Sequence, residues 1–146
     1  RDFWAAAVGV ADGLGLVLER SLGLRPGFRL PRGLSEAGTA DDMHMTRIMH
    51  YSHGAGFEEH TDMAAYALLF HPPGLHGGAC ALEVQDLAQQ WRRLPTEGPP
   101  LGCALMLPGQ MLEKITNGYW RAALHRAAPA PSGGRWGISF FVNAAR

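Results

Sequence analysis

The stretch Gly56–Phe70, GFEEHTDMAAYALLF, decides how this chain is read. It sets His60, Thr61 and Asp62 against an apolar run with the length and composition of a buried strand. Ionisable groups at the mouth of such a strand are costly unless something pairs with them, and a bound cation is one such partner. In an extended strand, side chains two positions apart share a face at a backbone spacing of about 7 Å. His60 and Asp62 can therefore converge on one ion while Thr61 points away.

A third ligand has to come from elsewhere in the chain. His125, in AALHRAAPAPSGGRWGISFF, stands on another predicted strand, late in the sequence. Two imidazoles and one carboxylate on one side of an ion leave three positions open, which suits Fe(II) that must meet a substrate and O2 together. Zinc accepts the same ligands, and the plainer alternative is a hydrogen-bonded pair at a strand end. Ten positions after His125, Arg135 opens an alternating strand. An arginine inside a sheet sandwich is costly unless a carboxylate meets it, and its planar fork of donors matches an acidic cosubstrate. Without His60 and Asp62, the same arginine reads as a solvent-facing strand residue.

The rest of the chain narrows the class. It has 146 residues, 47% of them hydrophobic, enough for one core. Thirteen basic and thirteen acidic side chains cancel, and neither sign forms a run, so no footprint for nucleic acid or an anionic membrane is present. Small molecules are the expected partners, with oligomeric state left open. Cys80 and Cys103 lack Cys-x-x-Cys spacing, which argues for reduced thiols and a cytoplasmic location. No run approaches ~18 consecutive apolar residues, and no cleavable leader is recognisable. The chain opens on Arg1 rather than Met, so an upstream segment is expected.

From Asp2 to Leu22 the apolar residues Phe3, Ala7, Val10, Leu14 and Val17, with Leu18 and Leu22, recur at steps of three and four. This predicts an amphipathic helix weakened by Gly9, Gly13 and Gly15, which also offer close approach to another element. Residues 23–43 read as a connection. Strand-like runs follow: MHMTRIMHYS, AAYALLFH, ACALEVQD, WRRLP, GCALMLPG, YWRAALHRAA and RWGISFFVN, separated by Pro- and Gly-rich breakers. With no helices interleaved, the pattern predicts a mainly β, antiparallel sandwich or jelly roll. MLEKITNG is predicted to form a helical turn or tight corner.

These residues resemble the iron(II) and 2-oxoglutarate-dependent oxygenases, in the branch that includes isopenicillin N synthase and the plant flavonoid and gibberellin dioxygenases. The family pattern is His-x-Asp, a later His, and then Arg-x-Ser. Its counterparts are His60-Thr61-Asp62, His125 and Arg135-Trp136-Gly137, flanked by further likeness in TRIMHYSHGAGFEEHTD, LEVQDLAQQW, LPGQMLEKITNGYWRAALHR and RWGISFFVN. The resemblance covers about residues 44 to 143. It implies a double-stranded β-helix core over residues 44–146, with residues 1–43 forming a helix and connection packed outside it, in one structural domain that lacks part of the family's usual N-terminal region.

The resemblance further implies Fe(II) held by His60, Asp62 and His125, and 2-oxoglutarate bound with Arg135 and Tyr51. Hydroxylation, desaturation or ring closure of a small organic substrate would accompany release of succinate and CO2. Two positions depart from the pattern. Gly137 replaces the serine of Arg-x-Ser, leaving Ser139 as the hydroxyl of equal strand parity, and Gln110 replaces an aspartate after Gly109. Two other readings keep the fold: an Fe(II) oxidase that does not use 2-oxoglutarate, and a non-catalytic binding module. His53, Phe57 and Phe141 are candidates for the substrate pocket, whereas His71 and His76, beside Pro72-Pro73 and Gly77-Gly78, read as turn residues in solvent.

Overall fold

A computed structural model of the chain describes residues 2–25, 44–70, 82–94, 103–129 and 134–143. His71, His76 and Cys80, and most of the predicted connection over 23–43, lie outside the described residues. Helix α1 spans Asp2–Ser21. The strands are β1 Met45–Tyr51, β2 Phe57–His60, β3 Tyr66–Phe70, β4 Leu82–Gln85, β5 Trp91–Arg93, β6 Leu105–Pro108, β7 His125–Ala127 and β8 Arg135–Val142, with a short helix α2, Gln110–Ile115, between β6 and β7. They form two four-stranded sheets, ordered β1-β8-β3-β6 and β2-β7-β4-β5, with every described pairing antiparallel. This two-sheet jelly roll is the expected mainly β class.

Strand β8 shows how the period-two pattern divides labour. Phe140 and Val142 are fully buried on the outer face of their sheet, beneath α1, with the Trp4 ring edge-on to Phe140 at 5.0 Å. Each such side chain contributes about 2 to 3 kcal/mol by leaving water. Ser139 and Phe141 alternate to the inner face. On β3, Tyr66 and Leu68 join the helix-side core, while Leu69 turns inward. The buried Tyr66 hydroxyl donates to the Ala11 carbonyl at 2.9 Å, fastening helix to sheet. Burial raises the Tyr66 phenol far above its ordinary range, so it remains a donor.

The helix buries part of the stripe that its apolar spacing predicts, Ala7, Leu14, Leu18 and Leu22 lying in or against the core. Ala7, Ala11, Gly15 and Leu18 are buried, whereas Val10 and Val17 are about half exposed, at 48% and 58%. Ala7, Ala11 and Leu18 share one core with Tyr66 and Phe140, whose large rings supply the bulk between helix and sheet. Of the three helix glycines, only Gly15 is buried; a Cβ at Gly9 or Gly13 would meet nothing within 4 Å. No described helix is long and apolar enough to cross a membrane.

The predicted strand over YWRAALHRAA is correct only at its end, where β7 has three residues. Upstream, the backbone amides are taken by the α2 corner: Trp120 donates to Thr116 Oγ1 at 3.1 Å, Ala122 to Glu113 Oε2 at 2.8 Å and Ala123 to the Pro108 carbonyl at 2.9 Å. MLEKITNG forms the expected helical corner. Its exit has the two hydrogen bonds of a Schellman motif, Asn117 N–H to Lys114 O and Gly118 N–H to Glu113 O, with Asn117 left-handed at φ 49°.

Candidate metal centre

His60 ends β2 and His125 begins β7, and the two are direct partners across that ladder. Their rings lie 4.3 Å apart, centre to centre. The chain leaves the strand after His60, so Asp62 is set by a corner rather than by continued pleat. Three backbone amides at the entrance to α2 shape that corner. Gln110 N–H donates to the Asp62 carbonyl at 2.8 Å, Met111 N–H to Ala64 O at 3.2 Å and Gly109 N–H to Ala65 O at 2.8 Å. A Cβ at Gly109 would overlap the Ala64 carbonyl and stand 2.9 Å from that of Asp62, so only glycine fits there without a shift. The Gln110 side-chain amide also donates to Thr61 Oγ1 at 2.7 Å. Glutamine at this departure from the family pattern thus holds the residue between the two ligand candidates.

Both imidazoles are oriented by backbone carbonyls. His60 Nδ1 lies 2.8 Å from Glu58 O, and His125 Nδ1 lies 2.9 Å from Ala123 O. A carbonyl has no proton to give, so each Nδ1 carries the hydrogen, which leaves Nε2 as the atom that each ring can offer to a cation. The two Nε2 atoms face Asp62, His60 at 3.7 Å from Oδ1 and His125 at 3.9 Å from Oδ2. These gaps are too long for hydrogen bonds. One ligand atom from each residue lies within 4.8 Å of the others, a donor set of two neutral nitrogens and one carboxylate that fits a divalent cation. Burial lowers the pKa of His125, partly offset by the Ala123 carbonyl and by the Asp62 charge, which keeps its ring neutral and able to ligate.

A solvent-open cleft of about 470 Å³ lies against these three residues. Phe57 and Phe141 are on its wall with Tyr51 and Ser139, and the Phe57 ring packs edge-on to His60 at 4.7 Å. Arg135 is buried, at 8% exposure, and faces Tyr51 across the β1–β8 ladder with its guanidinium carbon 4.4 Å above the phenol ring. Tyr51 lines the cleft and Arg135 stands behind it. Burial raises the Tyr51 pKa, while the charge and hydrogen bond of Arg135 oppose that rise. A Cβ at Gly137 would stand 3.8 Å from the Tyr51 ring, ordinary contact distance, so the missing serine is not excluded by space.

His53 is not brought to the site. It sits exposed in the turn closed by Ala55 N–H to Ser52 O, where Gly54 takes φ 74°, and it is not among the cleft-lining residues. His50 faces outward and stacks on Trp136 at 4.5 Å. The sequence reading missed Arg47 and Met49, which line the cleft beside Tyr51. Equal strand parity with Tyr51 was the signal that could have found them.

Two histidines and one aspartate, brought together on a two-sheet jelly roll, form a donor set that could hold a metal ion, of the two-His, one-carboxylate class. Residues 43–144 match the 2OG-Fe(II) oxygenase superfamily, and the chain belongs to that family. It is 32% identical over 135 residues to leucoanthocyanidin dioxygenase 1 of Oryza sativa subsp. indica, covering 86% of this chain and 34% of that protein. With clavatol oxidase of Penicillium crustosum it shares 29% identity over 124 residues, 77% of this chain and 34% of that protein. The chain thus spans about a third of the length of these curated relatives.

Among solved structures, the fold is shared with a full-length Neurospora crassa protein in complex with alpha-KG, at TM-score 0.72 and 17% identity over 98% of this chain and 45% of that one. It is also shared with the 2-oxoglutarate complex of the dioxygenase for auxin oxidation 1 from Arabidopsis thaliana, at TM-score 0.73 and 20% identity over 94% of this chain and 48% of that one.

Proposed function

We propose that the protein is a non-haem Fe(II) oxygenase that uses O2 and 2-oxoglutarate to hydroxylate, desaturate or cyclise a small organic substrate, releasing succinate and CO2. The single observation that carries this reading is the pair of carbonyl-oriented imidazoles whose free Nε2 atoms face the Asp62 carboxylate. His60, Asp62 and His125 would hold the iron. Bound there, iron supplies the redox chemistry by which O2 and a 2-oxo acid react.

The protein's own groups do the binding and orienting. Arg135, stacked on Tyr51, would meet the far carboxylate of 2-oxoglutarate, with the Ser139 hydroxyl on the same strand face. Phe57, Leu69, Leu82 and Phe141 give the cleft apolar walls against which a substrate can pack beside the centre. The cysteine pattern supports a cytoplasmic setting, and the composition supports a small-molecule substrate.

The test is O2-dependent conversion of 2-oxoglutarate to succinate by the purified protein reconstituted with Fe(II), abolished by Asp62→Ala. Absence of succinate from an iron-loaded sample with a broad substrate panel would refute it. Gly137 favours one second reading, an Fe(II) oxidase that draws its electrons elsewhere; substrate oxidation without succinate would identify that case.

A further inference from the structure

Arg47 is the cleft residue for which the family reading has no use. It stands on the inner face of β1, opposite Ser139 in the ladder, and lines the cleft. Its guanidinium carbon lies 5.5 Å from the centre of the Phe141 ring. Two other strand-associated arginines are answered by carboxylates, Arg92 by Asp86 at 2.8 Å and Arg126 by Glu83 at 2.7 Å. No carboxylate among the described residues pairs with Arg47 in this way. An aromatic face holds a guanidinium in place without using up its in-plane donors, so the fork remains available to a ligand.

Arg47 and Arg135 occupy the same two-strand wall at different heights. Arg135 pairs with Tyr51, four residues along β1 from Arg47, a separation of about 13 Å at the usual rise per residue. Their backbone positions are therefore distinct, although both guanidinium charges act on the Tyr51 phenol. Asp62 is the only acid lining the cleft among the described residues. With Fe(II), one carboxylate and two neutral imidazoles, the centre would keep a net positive charge, and Arg47 adds another. An anionic ligand is favoured over a neutral or cationic one.

We infer that Arg47, braced by Phe141, is a carboxylate-binding group on the cleft wall, at a different strand position from Arg135, and that it selects an organic acid as substrate. The inference rests on the oxygenase reading only for the role of that acid; carboxylate binding itself is independent of turnover. The two possible sources of the carboxylate are the substrate and 2-oxoglutarate.

The test is anaerobic calorimetry of the Fe(II)-loaded protein, first with 2-oxoglutarate and then, at saturating 2-oxoglutarate, with benzoate, phenylacetate and cinnamate against their neutral amides. The acids should bind about tenfold or more tightly than the amides, and Arg47→Gln should remove that preference. Arg47→Lys should restore only part of it, because the charge remains but the fork does not. The preference should shrink with added salt, since the site is open to solvent.

Equal binding of acids and amides, or a preference that survives in Arg47→Gln, overturns the subsite. A roughly tenfold loss of 2-oxoglutarate affinity in Arg47→Gln, with no acid preference in the parent protein, would overturn the substrate assignment and give the carboxylate to the cosubstrate. If the parent protein binds the acids through Arg47 but never 2-oxoglutarate, the subsite stands and the proposed oxygenase chemistry fails.

Discussion

The side-chain amide of Gln110 donates a hydrogen bond of 2.7 Å to the hydroxyl of Thr61, the residue between His60 and Asp62. The same turn of α2 donates its backbone amide to the Asp62 carbonyl. A helix corner remote in sequence therefore sets the carboxylate of the site. Gln110→Ala should lower Fe(II) affinity by roughly 10-fold while leaving the fold intact, as expected for a residue that orients a ligand. Gly109→Ala should do more, because its Cβ displaces the Ala64 and Asp62 carbonyls. Metal titration followed by thermal unfolding separates the two effects: Gln110→Ala changes affinity first, Gly109→Ala changes both.

Asp62 is the only anionic donor of the three candidate ligands. Asp62→Asn keeps its shape and removes its charge, so Fe(II) affinity should fall by roughly 100-fold or more, with a midpoint of metal-free unfolding close to that of the parent. Competition with a chelator of known affinity measures the loss. An unchanged affinity would remove Asp62 from the site.

At Gly137 there is room for a side chain beside the Tyr51 ring. Gly137→Ser should therefore be accommodated, and if the Arg135–Tyr51 corner receives the far carboxylate, the added hydroxyl should tighten 2-oxoglutarate by a few-fold, about 1 kcal/mol. Binding of 2-oxobutanoate, which lacks that carboxylate, should not change. Improvement of both ligands alike would point away from this corner.

Gly9 and Gly13 lie on α1 where a methyl group meets nothing within 4 Å. Gly13→Ala should stabilise the protein by about 0.5 to 1 kcal/mol, since alanine loses less backbone entropy in a helix. The rise should appear in chemical denaturation as a higher midpoint with an unchanged slope. Gly15→Ala should not share the benefit, because that glycine is buried.

How far the sequence could be read depended on which constraint set each element. His60, Asp62 and His125 were legible because chemistry restricts ligand types, and the strict alternation of β8 placed Phe141 with Ser139 on the inner face. The α1 face was legible in part: Ala7, Leu14, Leu18 and Leu22 lie in or against the core, whereas bulk misled at Val10 and Val17, which face water while Ala11 is buried. Asp62 was expected to share a pleat with His60, whereas amides of α2 carry it there through a corner that no local periodicity announces. Arg47 was overlooked because β1 alternates without a clear apolar face, its Ile48 being 64% exposed.

Strand β8 serves as a party wall, with the hydrophobic anchorage of α1 on one side and the reactive cleft on the other. Its even-numbered and odd-numbered positions accordingly meet separate packing demands, although they are neighbours in the chain. Libraries aimed at altered substrate range should diversify positions 139 and 141 and leave 140 and 142 untouched, so that new specificity need not be traded against folding yield.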